Sequence, residues 1–129
     1  MKNPPINTLV KKLDRIFSEY IRRRDSKDGV ARCVTCGKYD DWKRFHAGHF
    51  VVRQHKSTRW SERNVWPQCP SCNSFHEGAK DEYSLFLVRK LGPAILEELN
   101  YHKHSIFKLD KLWLETMIKE YQAKLNDLS

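Results

Sequence analysis

Nothing in this sequence approaches the roughly 18–20 consecutive apolar residues that a membrane-spanning helix requires, so no membrane partner is expected. Residues 1–10 hold two prolines and no apolar signal-peptide core, which places the chain, as an expectation, in the cytoplasm. Internal repeats, low-complexity tracts and a linker long enough to separate domains are all lacking. At 129 residues, one domain over 1–129 is expected rather than two. Acidic side chains are in deficit: 16 Asp and Glu stand against 24 Lys and Arg, for a net charge of +8. The deficit is uneven, since residues 1–30 carry +4, residues 31–80 carry +5 and residues 81–129 carry −1. Two readings fit: the first 80 residues meet a polyanion, or their cations form a merely solvated surface.

Cysteine is scarce too, and what there is falls into two pairs, Cys33-Val-Thr-Cys36 and Cys69-Pro-Ser-Cys72. Two CxxC knuckles, with Gly37 after the first to allow a tight turn, read as one structural Zn2+ held by four thiolates. Two disulfides or a redox pair are the rival reading, and the reducing cytosol disfavours disulfides.

What remains is the composition of an ordinary globular protein, 40% hydrophobic and 31% charged. Val10, Leu13, Phe17, Tyr20 and Ile21 recur at helical spacing and predict an amphipathic helix over residues 8–24, capped by Asn7 or Thr8. Residues 44–52 read as a strand with Phe45, Phe50 and Val52 as apolar members; residues 64–67 read as a second strand, stopped by Pro67. A helix is expected to start near residues 71–74. The segment 81–129 reads as C-terminal helices. One carries Tyr83, Phe86, Leu87 and Leu91 and is closed by Gly92. A short one follows Pro93, with Ile95, Leu96 and Leu99 facing inward. The last spans about 109–125, with Leu112, Trp113, Met117, Ile118, Tyr121 and Leu125.

Between the knuckles stand His46-Ala-Gly-His49-Phe50 and Asn64, and Asn73 follows the second knuckle directly. This order resembles a zinc-bound HNH (ββα-metal) nuclease in its His-Asn-Asn form. The segments Phe17-Ser-Glu-Tyr-Ile-Arg-Arg-Arg-Asp25, Cys33-Val-Thr-Cys-Gly37, Ala47-Gly-His-Phe50, Glu62-Arg-Asn64 and Gln68-Cys-Pro-Ser-Cys-Asn73, with the Tyr83…Gly92 helix, resemble the phage NinG/Rap recombination family across nearly the whole chain. The resemblance implies structure-specific cleavage of branched DNA in phage homologous recombination, in a bacterial or phage-infected host cell.

By position in that motif, His49 is the candidate general base, and a neutral imidazole suits the task near pH 7. Asn64 matches the residue that aims the His ring. Asn73 matches the ligand of a catalytic Mg2+ or Mn2+, whose hard character suits an amide oxygen. Four thiolates leave zinc no open position, so the chemistry falls to this second ion. Many HNH proteins place Asp before the His; here Gly48 stands there. His46 is the nearest replacement ligand and would tilt preference toward Mn2+, although residues 46 and 49 of an extended strand face opposite ways. His76, one turn past Asn73, is a further candidate ligand, and His102 and His104 read as solvated. Arg53, Lys56, Arg59 and Arg63 are the candidate phosphate contacts. Trp60 and Trp66 either stack on an unpaired base or pack inside.

The fold class expected is α+β: a zinc-stapled ββα-metal (HNH-like) core over 30–80, between an N-terminal helix and C-terminal helices. The function expected is a metal-dependent DNA endonuclease of HNH type acting on branched or recombination-intermediate DNA. A catalytically inactive zinc-knuckle DNA-binding module and a recombination-complex adaptor are the alternatives. A homodimer through the C-terminal helices would suit a two-fold symmetric junction.

Overall fold

The computed structural model of the chain describes residues 4–75 and 77–128. Helix α1 (Ile6–Arg24) starts from Pro5, whose carbonyl accepts from the amides of Thr8 and Leu9 at 3.0 and 3.3 Å. The cap expected at Asn7 or Thr8 is not used. A proline at the boundary has a preset φ and no N–H to satisfy, so the helix begins at Ile6 without a side-chain cap.

Leu9, Leu13, Phe17 and Ile21 of α1 join one apolar core with Leu114, Ile118, Tyr121 and Leu125 of α5 (Lys111–Asp127). The expected inward position of Leu112 is corrected: Leu112 is 72% exposed, while Leu114 is fully buried. Asp110 caps α5 by accepting from the Trp113 amide at 3.1 Å, and the phase this sets turns residues 114, 118, 121 and 125 inward.

Helices α3 (Lys80–Leu91) and α4 (Ile95–Lys103) close a second core, in which Tyr83, Leu87, Ile95 and Leu99 meet Val51 and Trp66. Gly92, at a φ of +99°, ends α3 as its position in the sequence predicts. Between the helices lie two antiparallel ribbons. One pairs β1 (Val30–Arg32) with β2 (Tyr39–Asp41); the other pairs β3 (His46–His49) with β4 (Val65–Gln68), His49 opposite Val65. The connection between β3 and β4 contains one helical turn, α2 (Lys56–Arg59). The described residues therefore form a mixed α+β structure, with helices flanking two small two-stranded sheets.

Three local expectations are corrected. The strand read over 44–52 is confined to His46–His49, and Val51 rather than Val52 goes inside, because the Asn64 side chain takes the Val51 amide and breaks the alternation. Pro67 does not stop β4. Its carbonyl accepts from the Val34 amide at 3.0 Å, so the side of the residue that lacks an N–H faces away from β3. The helix expected from 71–74 is one wide turn, Ser71–Phe75. Left-handed φ values of +49°, +81° and +50° at Glu77, Gly78 and Ala79 delay α3 to Lys80. No helix among the described residues is long and apolar enough to cross a membrane.

Candidate functional site

The first knuckle turns on Gly37, at a φ of +81°. The Gly37 amide donates to Cys33 O at 2.9 Å, and the Cys33 amide donates to Lys38 O at 2.8 Å. In the second, the Asn73 amide donates to Cys69 O at 3.0 Å. The four sulfurs converge to within 4.8 Å of one another as free thiols rather than disulfides. Cys36 Sγ and Cys69 Sγ stand 3.7 Å apart, close to the roughly 3.8 Å edge of a tetrahedron with 2.3 Å zinc–sulfur bonds. Burial acts to raise the Cys33 thiol. The Thr35 hydroxyl and the amides of Cys69, Cys36 and Thr35 outweigh it and bring the thiol down to about 6. Cys72 is pushed up to about 12, by burial first and then by the neighbouring sulfurs. Such a cluster holds four thiolates only with a cation at its centre, and it can bind a metal ion such as zinc.

Between the knuckles lie His49 and Asn64, and Asn73 follows the second one directly. His49, at the end of β3, has Nε2 2.9 Å from Arg59 O. In the neutral ring Nε2 therefore carries the proton, and Nδ1 is left as the basic nitrogen. Burial holds the ring below the ordinary 6.5, against the Arg59 carbonyl, which acts to raise it; the Arg53 cation adds to the lowering. The backbone beneath is fixed as well. Lys80 Nζ donates to His49 O at 3.1 Å and to Phe50 O, and Tyr83 Oη donates to Gly48 O at 2.5 Å.

Asn64 is fully buried and closes the 51–64 loop on itself. Its Nδ2 donates to Val51 O at 3.0 Å and Thr58 O at 3.2 Å, and its Oδ1 accepts from the Val51 amide at 2.8 Å. Thr58 precedes the residue whose carbonyl holds the His49 ring, so one buried amide sets the position of that carbonyl.

His46 and Asn73 meet side chain to side chain, His46 Nδ1 lying 3.0 Å from Asn73 Nδ2. Although three residues apart on a strand, His46 and His49 both line one cleft of about 550 Å³ with Asn73, Arg53 and Asp14. His76 lies outside the described residues. A Cβ at Gly48 would collide with the Gln68 side chain, 2.6 Å from its Cδ and nearer still to its Oε1. Gln68 is itself fully buried and donates to Gly78 O at 2.8 Å, and its Oε1 has no partner among the described residues. Any side chain at position 48 is thus excluded by Gln68. Gly48→Ala is expected to cost about 1–3 kcal/mol by overpacking. Thermal unfolding checks this: Gly48→Ala combined with Gln68→Ala should recover part of the loss, and an undisturbed melting temperature in Gly48→Ala alone would refute it.

The basic loop is less available than its sequence suggests. Arg59 is largely buried, with Nε and Nη2 on the two oxygens of Asp14 at 3.1 and 2.5 Å, and is a bracket rather than a phosphate contact. Arg63 pairs with Glu98 of α4 at 2.6 Å, while Arg53, 63% exposed, reaches Asp14 only at 3.3 Å, and Lys56 is exposed. Trp60 and Trp66 are both buried, and Trp60 Nε1 donates to Asp14 Oδ1 at 2.9 Å, so neither is free to stack on a base. His102 and His104 are exposed at the end of α4. Asp14, Lys80 and Tyr83 are the site residues that sequence reasoning missed. For Asp14 a signal existed: this acid, one of two on α1, sits three and four residues from Phe17 and Val10, on the border of the apolar stripe.

The profile of the family described as "NinG: Bacteriophage Lambda NinG protein" matches residues 2–129. The chain belongs to the NinG family. Among NinG-family relatives, protein ninG of Salmonella phage P22 is 28% identical over 126 residues, covering 96% of this chain and 59% of its own length. Protein ninG of Escherichia phage lambda is 27% identical over 127 residues, covering 96% and 59%, and that of Escherichia phage 933W is 26% identical, covering 96% and 60%. This NinG-family chain thus spans about 59–60% of the length of these curated relatives. No solved structure matches it.

Proposed function

We propose that this chain is a metal-dependent DNA endonuclease of HNH type, built on a zinc-stapled ββα-metal core and acting on branched or recombination-intermediate DNA. The observation that carries the reading is the cleft itself. There an imidazole with one nitrogen fixed on a backbone carbonyl sits with a His–Asn pair and an exposed arginine. His49 Nδ1 takes the proton from the attacking water, while Arg59 O holds the ring by its other nitrogen. Asn64 keeps that carbonyl in place. Arg53 neutralises a phosphate oxygen beside the scissile bond.

His46 and Asn73 would hold the divalent cation, Mg2+ or Mn2+. A half-turn of the Asn73 amide puts Oδ1 where Nδ2 now stands, 3.0 Å from His46 Nδ1. That separation would let the two side chains donate to one hard cation. Bound there, the ion supplies Lewis acidity to the phosphoryl group and the leaving 3′ oxygen. Asn73 reaches this place because its own amide is tied to the second knuckle, which makes the zinc a support for the cleft rather than a participant.

The test is nicking of supercoiled plasmid and of a synthetic four-way junction, with Mg2+ or Mn2+ and without. Metal-dependent cutting is expected, reduced about 10²–10⁴-fold in His49→Ala with zinc content unchanged. Since burial depresses His49 and the base must be neutral, the rate should fall only as the pH drops below 6.5, the ordinary histidine value. Absence of cutting by the unaltered chain under every metal would remove the nuclease. A second reading, a zinc-knuckle DNA-binding module without catalysis, draws on Gly48: residue 48 offers no carboxylate, and Gln68 fills the space where one would stand.

A further inference from the structure

Across the β3–β4 pair from the cleft is a larger groove of about 1090 Å³. It is bordered by Trp66 and Pro67 of β4 and shares no lining residue with the cleft. One wall is the outward face of the β1–β2 ribbon. Val30 and Arg32 point out on either side of buried Ala31. Tyr39 is the direct cross-strand partner of Arg32, whose guanidinium lies 5.4 Å from the tyrosine ring centre. The other wall is the face of α3 that carries Leu85 and Arg89, four residues apart.

Two properties of this groove are left unused by the fold. Its apolar members are uncovered, Tyr39 being 65% exposed, Leu85 55% and Val30 43%. Its cations are unpaired with acids: Lys27, Arg32, Arg89 and Lys90 form no ion pair among the described residues, Arg32 being held only by the Tyr39 ring and by Gly37 O at 3.4 Å. The acidic groups there are Asp25, which is taken up by Arg24 at 3.3 Å, and Glu82. The placement runs against the local charge balance. Residues 81–129 carry a net −1, yet Arg89 and Lys90 of that segment line this groove.

We infer that this groove binds a single strand of nucleic acid, with unstacked bases against Tyr39 and Leu85 and phosphates on the four cations. A duplex would use the cations alone, because its bases are stacked inside it and offer no face to Tyr39. An acidic peptide would likewise leave the ring without a partner. A single strand satisfies both halves of the surface, and a stacking platform beside a cationic track is the arrangement that holds strands without sequence preference. The groove uses neither His49 nor the cation proposed for the cleft, so it stands or falls apart from the nuclease reading.

The test is fluorescence anisotropy of a labelled 12-mer of thymidylate, titrated with the zinc-loaded His49→Ala chain over a range of salt. Arg32→Glu and Arg89→Glu, one on each wall, are expected to weaken binding about tenfold each and to flatten the dependence on salt. Tyr39→Ala is expected to weaken it about tenfold with the salt dependence unchanged, the mark of stacking rather than of charge. Equal melting temperatures and zinc contents show that the variants are folded. Binding indifferent to all three substitutions overturns the inference. So does a loss shared equally by duplex DNA, or displacement of the strand by polyglutamate with no effect of Tyr39→Ala. Nicking by the unaltered chain is scored separately. Loss of strand binding in the variants without any nicking leaves the groove and removes the nuclease; nicking with strand binding indifferent to the variants does the reverse.

Discussion

Removing the zinc, by chelation or by Cys69→Ser, is expected to unfold the middle of the chain rather than loosen it. Cys33, Cys69 and Cys72 are buried and make up most of a small cluster whose other buried members are Ala31 and Phe45. That is too little apolar surface to hold β1, β2 and the Ser71–Phe75 turn. Four sulfurs within 4.8 Å of one another can all ionise only around a cation. Structural zinc sites in small peptides contribute about 10–16 kcal/mol, against a whole-domain stability of about 5–15 kcal/mol. Even a fraction of that contribution exceeds the margin. The melting temperature should fall by about 20 °C or more, or the cooperative transition should vanish. Native mass spectrometry should show one zinc per chain, lost on chelation. A chelated chain that melts within a few degrees of the untreated one would mean that the cysteine cluster is not a structural metal site.

Asn64→Ala is the second substitution with a large expected effect, and it separates positioning from folding. It leaves the Val51 amide and the Val51 carbonyl without their partner at a fully buried place, while the Thr58 carbonyl keeps only the Ser61 amide at 3.2 Å. At about 1–3 kcal/mol for each orphaned group, a loss of about 4 kcal/mol is expected, which lowers the melting temperature by about 15 °C. Asn64→Asp is no conservative repair, because it turns an acceptor toward two carbonyls. The informative measurement is made well below the variant's melting temperature. There kcat for nicking should remain depressed about 100-fold with KM little changed, because the Arg59 carbonyl no longer holds the His49 ring. A variant that is fully folded and cuts at the normal rate would remove Asn64 from the site.

The parts legible in the sequence were those set by short covalent spacing. Each CxxC pair brings its sulfurs together over three residues of chain, and the two pairs needed only Gly37 and the Val34–Pro67 bond to converge. The helices were legible for a related reason: periodic apolar residues such as Leu13, Phe17 and Leu87 are facts about a single segment. What escaped was set by long-range partners. Pro67 stays within β4 because Val34, far back in the chain, meets its carbonyl on the outer edge. Asp14 faces Arg53, Arg59 and Trp60 across more than 35 residues of sequence, and no local pattern ties an acid on α1 to a basic loop. The same pairing explains why four loop cations of one apparent kind divide into a bracket, Arg59, a helix tie, Arg63, and two exposed groups, Arg53 and Lys56. The uncovered wall of α3 was hidden as well, since Leu85 falls outside the stripe that Tyr83, Leu87 and Leu91 announce.

The packing of α1 against α5 bears on when, during synthesis, a chain of this kind becomes competent. Ribosomes deliver α1 first and α5 last among the described elements, at roughly 5–20 residues per second. Until α5 arrives, Leu13 and Phe17 lack the Leu114, Ile118 and Tyr121 that cover them, and α1 has no fixed seat. Asp14 rides on α1, so the bracket on Arg59 and Trp60 waits with it. A nascent chain whose cysteines are already loaded is therefore still without its finished cleft until α5 has packed on α1.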